Sequence, residues 1–300
     1  MSAIPNAHIP FYSQEIDDPS KSSSPQHSVM LDGVQSMLRQ EETFYKCTDY
    51  INTLEEKNQV LPNMEVLNEF WRDKICEWYY EVVDLFEISR EVVSISLNLL
   101  DRFLAKVSCE KAQFQLAAIA TLNIAIKLQE TRPLKLATFM KLSRGCFTVE
   151  NIIDCEFLIL QTLSWHVHPP TSLSFARIFL ELLPSSIPLL TKNNMLEYSE
   201  FMLEVAVCEY SLVASRPSVL AFAAILNSIQ DIGSVQFPSF AYDRFLEDIY
   251  QLVGLNIDPE VTATKEKMKQ LYTNTEGLEC DKLSVNGRVD SPTCISSTYV

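Results

Sequence analysis

Apolar residues recur every three or four positions through most of this chain. Trp71, Ile75, Trp78, Val82 and Leu85 form one such stripe, and Val93, Leu97, Leu100 and Leu104 form another. This spacing gathers apolar side chains on one face of an α-helix. Gln113–Lys127 differs, being apolar nearly all round, which is the pattern of a helix enclosed by others. Chain breakers are scarce in the same region. No glycine lies between Gly33 and Gly145, and no proline between Pro62 and Pro133. Strands and hairpins need turn residues at shorter intervals, so the pattern predicts an all-α fold.

The enclosed helix has a second copy. Gln115-Leu-Ala-Ala-Ile-Ala-Thr-Leu-Asn123 aligns with Val219-Leu-Ala-Phe-Ala-Ala-Ile-Leu-Asn227, with five of nine positions identical, and Pro217 stands where a first-turn proline belongs. Similar helical patterns flank both copies, and His168-Pro-Pro170 between them reads as a linker. Two helical bundles in tandem are expected, at 62–170 and 171–274. Residues 36–61 precede them as a helical segment. Residues 1–35 hold four prolines and a Ser-rich stretch, and residues 275–300 are polar. Both are expected to be flexible tails, and their Ser24-Pro25 and Ser291-Pro292 pairs are read as unmodified.

Composition narrows the function. The net charge of −15 argues against nucleic-acid binding, which needs a basic face. The acidity is uneven: 62–170 holds 11 Lys and Arg against 14 Asp and Glu, a balance of −3. No apolar run approaches the ~20 residues needed to cross a membrane, and Met1-Ser-Ala-Ile-Pro has no secretory pattern. Eight cysteines are scattered singly, without zinc spacing. They are expected to be reduced, as in a nuclear or cytoplasmic protein, with Cys76, Cys155 and Cys208 in helices. No phosphate loop or catalytic constellation is present, so neither enzymatic activity, cofactor nor metal is expected. His166 and His168 read as surface residues beside the linker. Arg177-Ile-Phe-Leu180 lies in a helical pattern and reads as structural, not as an exposed degradation signal.

Two charges stand out. Glu156 has Ile152, Ile153, Ile159 and Leu160 as helical neighbours, and Lys127 ends the apolar run Phe114–Leu128. An unpaired buried charge costs several kcal/mol, so each of the two requires a partner, in the same chain or another.

The arrangement resembles the cyclins. Phe70-Trp-Arg-Asp-Lys-Ile-Cys-Glu-Trp-Tyr-Tyr-Glu-Val82 resembles the opening of a cyclin box. Asn98-Leu-Leu-Asp-Arg-Phe-Leu104, Lys127-Leu-Gln-Glu130 and Leu163-Ser-Trp-His-Val167 resemble its later motifs, in register. Arg72, Asp101, Leu116, Lys127 and Glu156 occupy five characteristic positions. The resemblance implies a tandem duplication of a five-helix fold with an extra N-terminal helix. Met37-Leu-Arg-Gln-Glu-Glu-Thr43 and Trp165 are similar to D-type members, whose Leu-x-Cys-x-Glu motif is absent.

The function implied is that of a non-catalytic subunit that activates a cyclin-dependent serine/threonine kinase as a heterodimer. On the same resemblance, Lys127 and Glu156 would bond to kinase backbone, with Ile124, Ala125, Leu128, Leu160 and Trp165 as the apolar part of the interface. Arg72 and Asp101 would form a structural salt bridge. Trp71, Ile75, Trp78, Glu81, Phe114 and Gln115 match a groove for substrate or inhibitor peptides carrying a basic-x-Leu motif. Lys74 stands there in place of the usual aliphatic residue, and core packing explains the aromatics equally well. The alternatives are a transcriptional cyclin and a DNA-reading transcription factor of the same fold.

Overall fold

The computed structural model describes residues 25–52, 68–233 and 237–276. It is helical throughout, with no strand among the described residues. Among the described residues, α1 (Pro25–Glu42) is followed by helical residues 50–52 and then by two sets of five α-helices. The first is α2 (Glu69–Leu85), α3 (Glu91–Leu104), α4 (Lys111–Gln129), α5 (Leu136–Leu142) and α6 (Val149–Thr162). The second is α7 (Ser172–Glu181), α8 (Leu189–Cys208), α9 (Pro217–Ile232), α10 (Ser239–Val253) and α11 (Pro259–Glu276).

Each set has its own core, built round its Ala-rich helix. In α4 every residue from Phe114 to Ile126 except Leu116 is buried, and α3 and α6 pack against it. Ala117, Ala118 and Ala120 let these neighbours approach closely. Helix α9 repeats the arrangement among α7, α8 and α11, with Pro217 in its first turn. Local capping fixes the helix starts. The Asn68 side chain accepts from the Trp71 amide at 3.3 Å, and Thr148 and Asn151 bond reciprocally across the first turn of α6.

Two expectations need correction here. Helix α1 begins at Pro25, inside the stretch read as a flexible tail; a proline in a polar context marks a helix start as well as a loop. Its Val34 is buried, Met37 and Leu38 pack on the second core, and the Gln35 amide donates to the Leu252 carbonyl at 2.6 Å. Of the helical segment expected at 36–61, residues 43–49 form a turn and irregular chain after α1, and residues 53–61 lie outside the described residues, as do Ser24 and Ser291. The second correction concerns the cysteines. Cys76 and Cys208 form a disulfide, their Cα atoms 5.7 Å apart, because α2 lies beside the end of α8. Cys47, Cys109, Cys146 and Cys155 are free thiols.

Polar groups line the seam between the bundles. Arg72 bonds Asp101 through two contacts of 2.9 Å and also donates to the carbonyls of Val207 and Cys208, at 3.1 Å each. Burial opposes the charge on Arg72, but Asp101 overrides it and raises the guanidinium pKa. Tyr50 donates to Asp101 at 3.0 Å, and Tyr80 to the Glu204 carbonyl at 3.1 Å. Arg177 pairs with Glu91 of α3 at 3.0 Å and Leu180 is buried, so Arg177-Ile-Phe-Leu180 is part of the packing.

Candidate partner-binding face

Helices α4 and α6 pack side by side, and this brings Lys127 and Glu156 together. Lys127 lies in the last turn of α4, where a cation is favoured by the helix dipole. One Glu156 oxygen meets the Lys127 ammonium, and the other accepts from Asn123 Nδ2 at 2.8 Å. Asn123 and Lys127, one turn apart on α4, thus hold the carboxylate from two sides. The pair is formed within the chain itself, and it is not buried: the side chains are 42% and 17% exposed. An ammonium has three donors, and Glu156 occupies one of those of Lys127.

Apolar side chains surround the pair. The buried residues of α6 are Ile152, Cys155 and Ile159, which face the core. Its outer side carries Ile153 and Phe157, 48% and 53% exposed, with Leu160 half-buried. Ile153, Glu156, Phe157 and Leu160 share a face by helical spacing. Leu128 borders it from α4, and Trp165, 63% exposed, follows the end of α6. Ser164 and Trp165 have φ of 51° and 63°, a left-handed pair that ends the helix. For a non-glycine residue this backbone costs roughly 1–2 kcal/mol, and its effect is to hold a tryptophan against solvent. Phe44 stacks on the neighbouring His166, with ring centroids 4.1 Å apart.

Of the expected interface residues, Lys127, Glu156, Leu128, Leu160 and Trp165 reach this face. Ile124 and Ala125 do not. Both are buried in the first core, because α4 is enclosed on nearly every side. Ile153, expected only as a neighbour of Glu156, and Phe157, which was not expected, also stand on this face. The signal was there, since α6 carries more apolar residues than its three core positions need. A continuous run such as Phe157-Leu-Ile-Leu160, however, does not say which member faces out.

The expected peptide groove is mostly closed. Ile75, Trp78, Phe114 and Gln115 are buried. Glu81 is exposed, and burial of its surroundings raises its pKa, helped by Glu77. Trp71 is half-buried, with Lys111 Nζ 4.1 Å from its ring centre, and Lys74 pairs with Glu77 at 2.6 Å.

Among the described residues no group of three or more His, Cys, Asp or Glu is placed to hold a metal ion, and no helix is long and apolar enough to cross a membrane. A family model of the cyclin N-terminal domain matches residues 32–168, and one of the cyclin C-terminal domain matches 170–274. The chain belongs to the cyclin family. The first match takes in the latter part of α1, and the two meet at the His168-Pro-Pro linker. The G2/mitotic-specific cyclin-B3 of Mus musculus is 28% identical over 184 residues, which is 60% of this chain but 13% of the mouse protein. A G2/mitotic-specific cyclin of Glycine max is 28% identical over 62% of this chain and 39% of its own length. Cyclin-G1 of Pongo abelii is 27% identical over 215 residues, 69% of this chain and 71% of that cyclin. Among solved structures, a viral cyclin from Herpesvirus saimiri has a TM-score of 0.58 at 21% identity, covering 76% of this chain and 99% of the viral one. A chain of the CAK complex of Chaetomium thermophilum bound to ATP-gamma-S has a TM-score of 0.50 at 15% identity, covering 84% and 78%. The family's members are regulatory subunits, and these two likenesses show that this cyclin shares their fold.

Proposed function

We propose that this cyclin binds and activates a cyclin-dependent serine/threonine kinase in control of cell-cycle progression, acting in the nucleus or cytoplasm. The observation that carries the reading is the Lys127–Glu156 pair standing exposed within an apolar face of Leu128, Ile153, Phe157 and Trp165. Such a face is an interface in composition: apolar side chains supply area, and the central charges set register. Lys127 keeps donors for backbone carbonyls of the kinase, and Glu156 can exchange Asn123 or Lys127 for backbone amides. Desolvation on docking strengthens both sets of bonds. Activation follows if the kinase helix seated here is in its active position only when bound, since binding energy then shifts the population toward the active state. The resemblance to G2/mitotic-specific cyclins supports a role in division.

The test is affinity purification of the tagged chain with identification of the kinase recovered, followed by Lys127→Ala with Glu156→Ala. The double variant is expected to lose kinase activation while its helical circular dichroism stays unchanged. Full activation by a folded double variant overturns the assignment of the face.

A further inference from the structure

The Cys76–Cys208 bond lies in a built seam. Arg72, Cys76 and Tyr80 follow one another at single-turn steps along α2, and all three reach the last turns of α8: Arg72 the carbonyls of Val207 and Cys208, Cys76 the sulfur of Cys208, Tyr80 the carbonyl of Glu204. Arg90 extends the row, with its guanidinium 3.0 Å from Glu204 and 4.7 Å from the Tyr80 ring centre. One contact in this row is covalent and joins residues 132 positions apart in the two cyclin folds. The other contacts do not depend on it. Reduction therefore leaves the bundles in register but held by hydrogen bonds and an ion pair, which open locally far more readily than a covalent link.

The surroundings favour reversible chemistry at Cys208. Cys76 is fully buried, whereas Cys208 is half-buried, so a reagent from solvent meets Cys208 first. Cys109 and Cys155 are buried elsewhere in the first bundle and unpaired, their thiols pushed up to about 11 and about 12 by burial.

We propose that Cys76 and Cys208 are a site of reversible oxidation by a peroxide-class oxidant, and that the bond clamps the second bundle to the first. In the forward direction the Cys208 thiolate attacks one peroxide oxygen. The O–O bond breaks, Cys208 becomes a sulfenic acid, and the departing hydroxide takes up a proton as water. The Cys76 thiolate then attacks the Cys208 sulfur, the S–O bond breaks, and a second water leaves. Two thiols have lost two electrons and two protons, and one peroxide has become two waters. A small dithiol reverses the bond by attacking the Cys208 sulfur and releasing Cys76.

The experiment uses the full chain with Cys146, Cys280 and Cys294 changed to serine, which suppresses cross-linking between molecules. The chain is treated with hydrogen peroxide or with dithiothreitol, and thiols are mapped by alkylation and mass spectrometry. Peroxide is expected to give one Cys76–Cys208 cross-linked peptide and to raise Tm by on the order of 10 °C, because the loop closed is long. Dithiothreitol is expected to reverse both effects, and the further variants Cys208→Ser and Cys76→Ala to show neither. Cys208→Ser at the half-buried position keeps the test valid if Cys76→Ala folds poorly. The proposal falls if both thiols stay open to alkylation after peroxide, if Cys47 pairs in place of Cys76, or if the cross-linked and reduced chains melt at the same temperature.

Discussion

Asp101 and Glu156 are both carboxylates bonded to a cation of a neighbouring helix, yet they serve opposite ends. Asp101 is buried and accepts three hydrogen bonds, two from Arg72 and one from Tyr50. Asp101→Ala strands the guanidinium of Arg72 in the interior. Its expected cost is ~3–5 kcal/mol, visible as a fall in the urea midpoint. Glu156→Ala removes an ion pair whose lysine is partly in water, and its expected cost is under about 1 kcal/mol. A Glu156→Ala variant as unstable as Asp101→Ala would mean that the exposed pair supports the fold itself. Both carboxylates were legible in the sequence because their residue types sit at characteristic spacings. What spacing did not show is that Arg72 also ties down the end of α8. That contact joins positions 135 and 136 residues apart, and no local pattern encodes it.

At the level of elements, α1 belongs to the second bundle although it precedes the first. Buried Glu41, near its C-terminal end, accepts from the Ser218 amide at 2.9 Å and the Ser218 hydroxyl at 2.5 Å, capping the start of α9. Burial raises the pKa of Glu41, against the pull of these bonds and of Arg216. A raised carboxylate binds its proton more readily folded than unfolded. The stability it contributes is full below the unfolded value and is lost as pH rises through the folded one. The stability of wild type relative to Glu41→Gln, from urea titrations, is therefore expected to improve between pH 7 and pH 5; an unchanged difference would show that Glu41 does not titrate in this window. Helices α4 and α9 were plain in the sequence because only an enclosed helix tolerates apolar residues all round. The start of α1 was not, since prolines and serines mark tails and helix starts alike.

The whole molecule is acidic, with a net charge of −15, and the DNA-reading alternative requires a basic surface. The full chain is expected to pass through a DNA column at 50 mM salt without retention; salt-dependent retention would revive that alternative. The path of the chain through the fold has a consequence for its synthesis. Helix α1 is made before either bundle, but Ser218, which Glu41 caps, lies 177 residues further on, and Leu252, the partner of Gln35, 217 residues further on. At roughly 5–20 residues per second on the ribosome, α1 waits on the order of 10–40 s with Val34, Met37 and Leu38 unsheltered. The first of these helices to emerge is thus among the last to be seated, and through that interval the newborn chain offers a chaperone an amphipathic helix that the finished protein conceals.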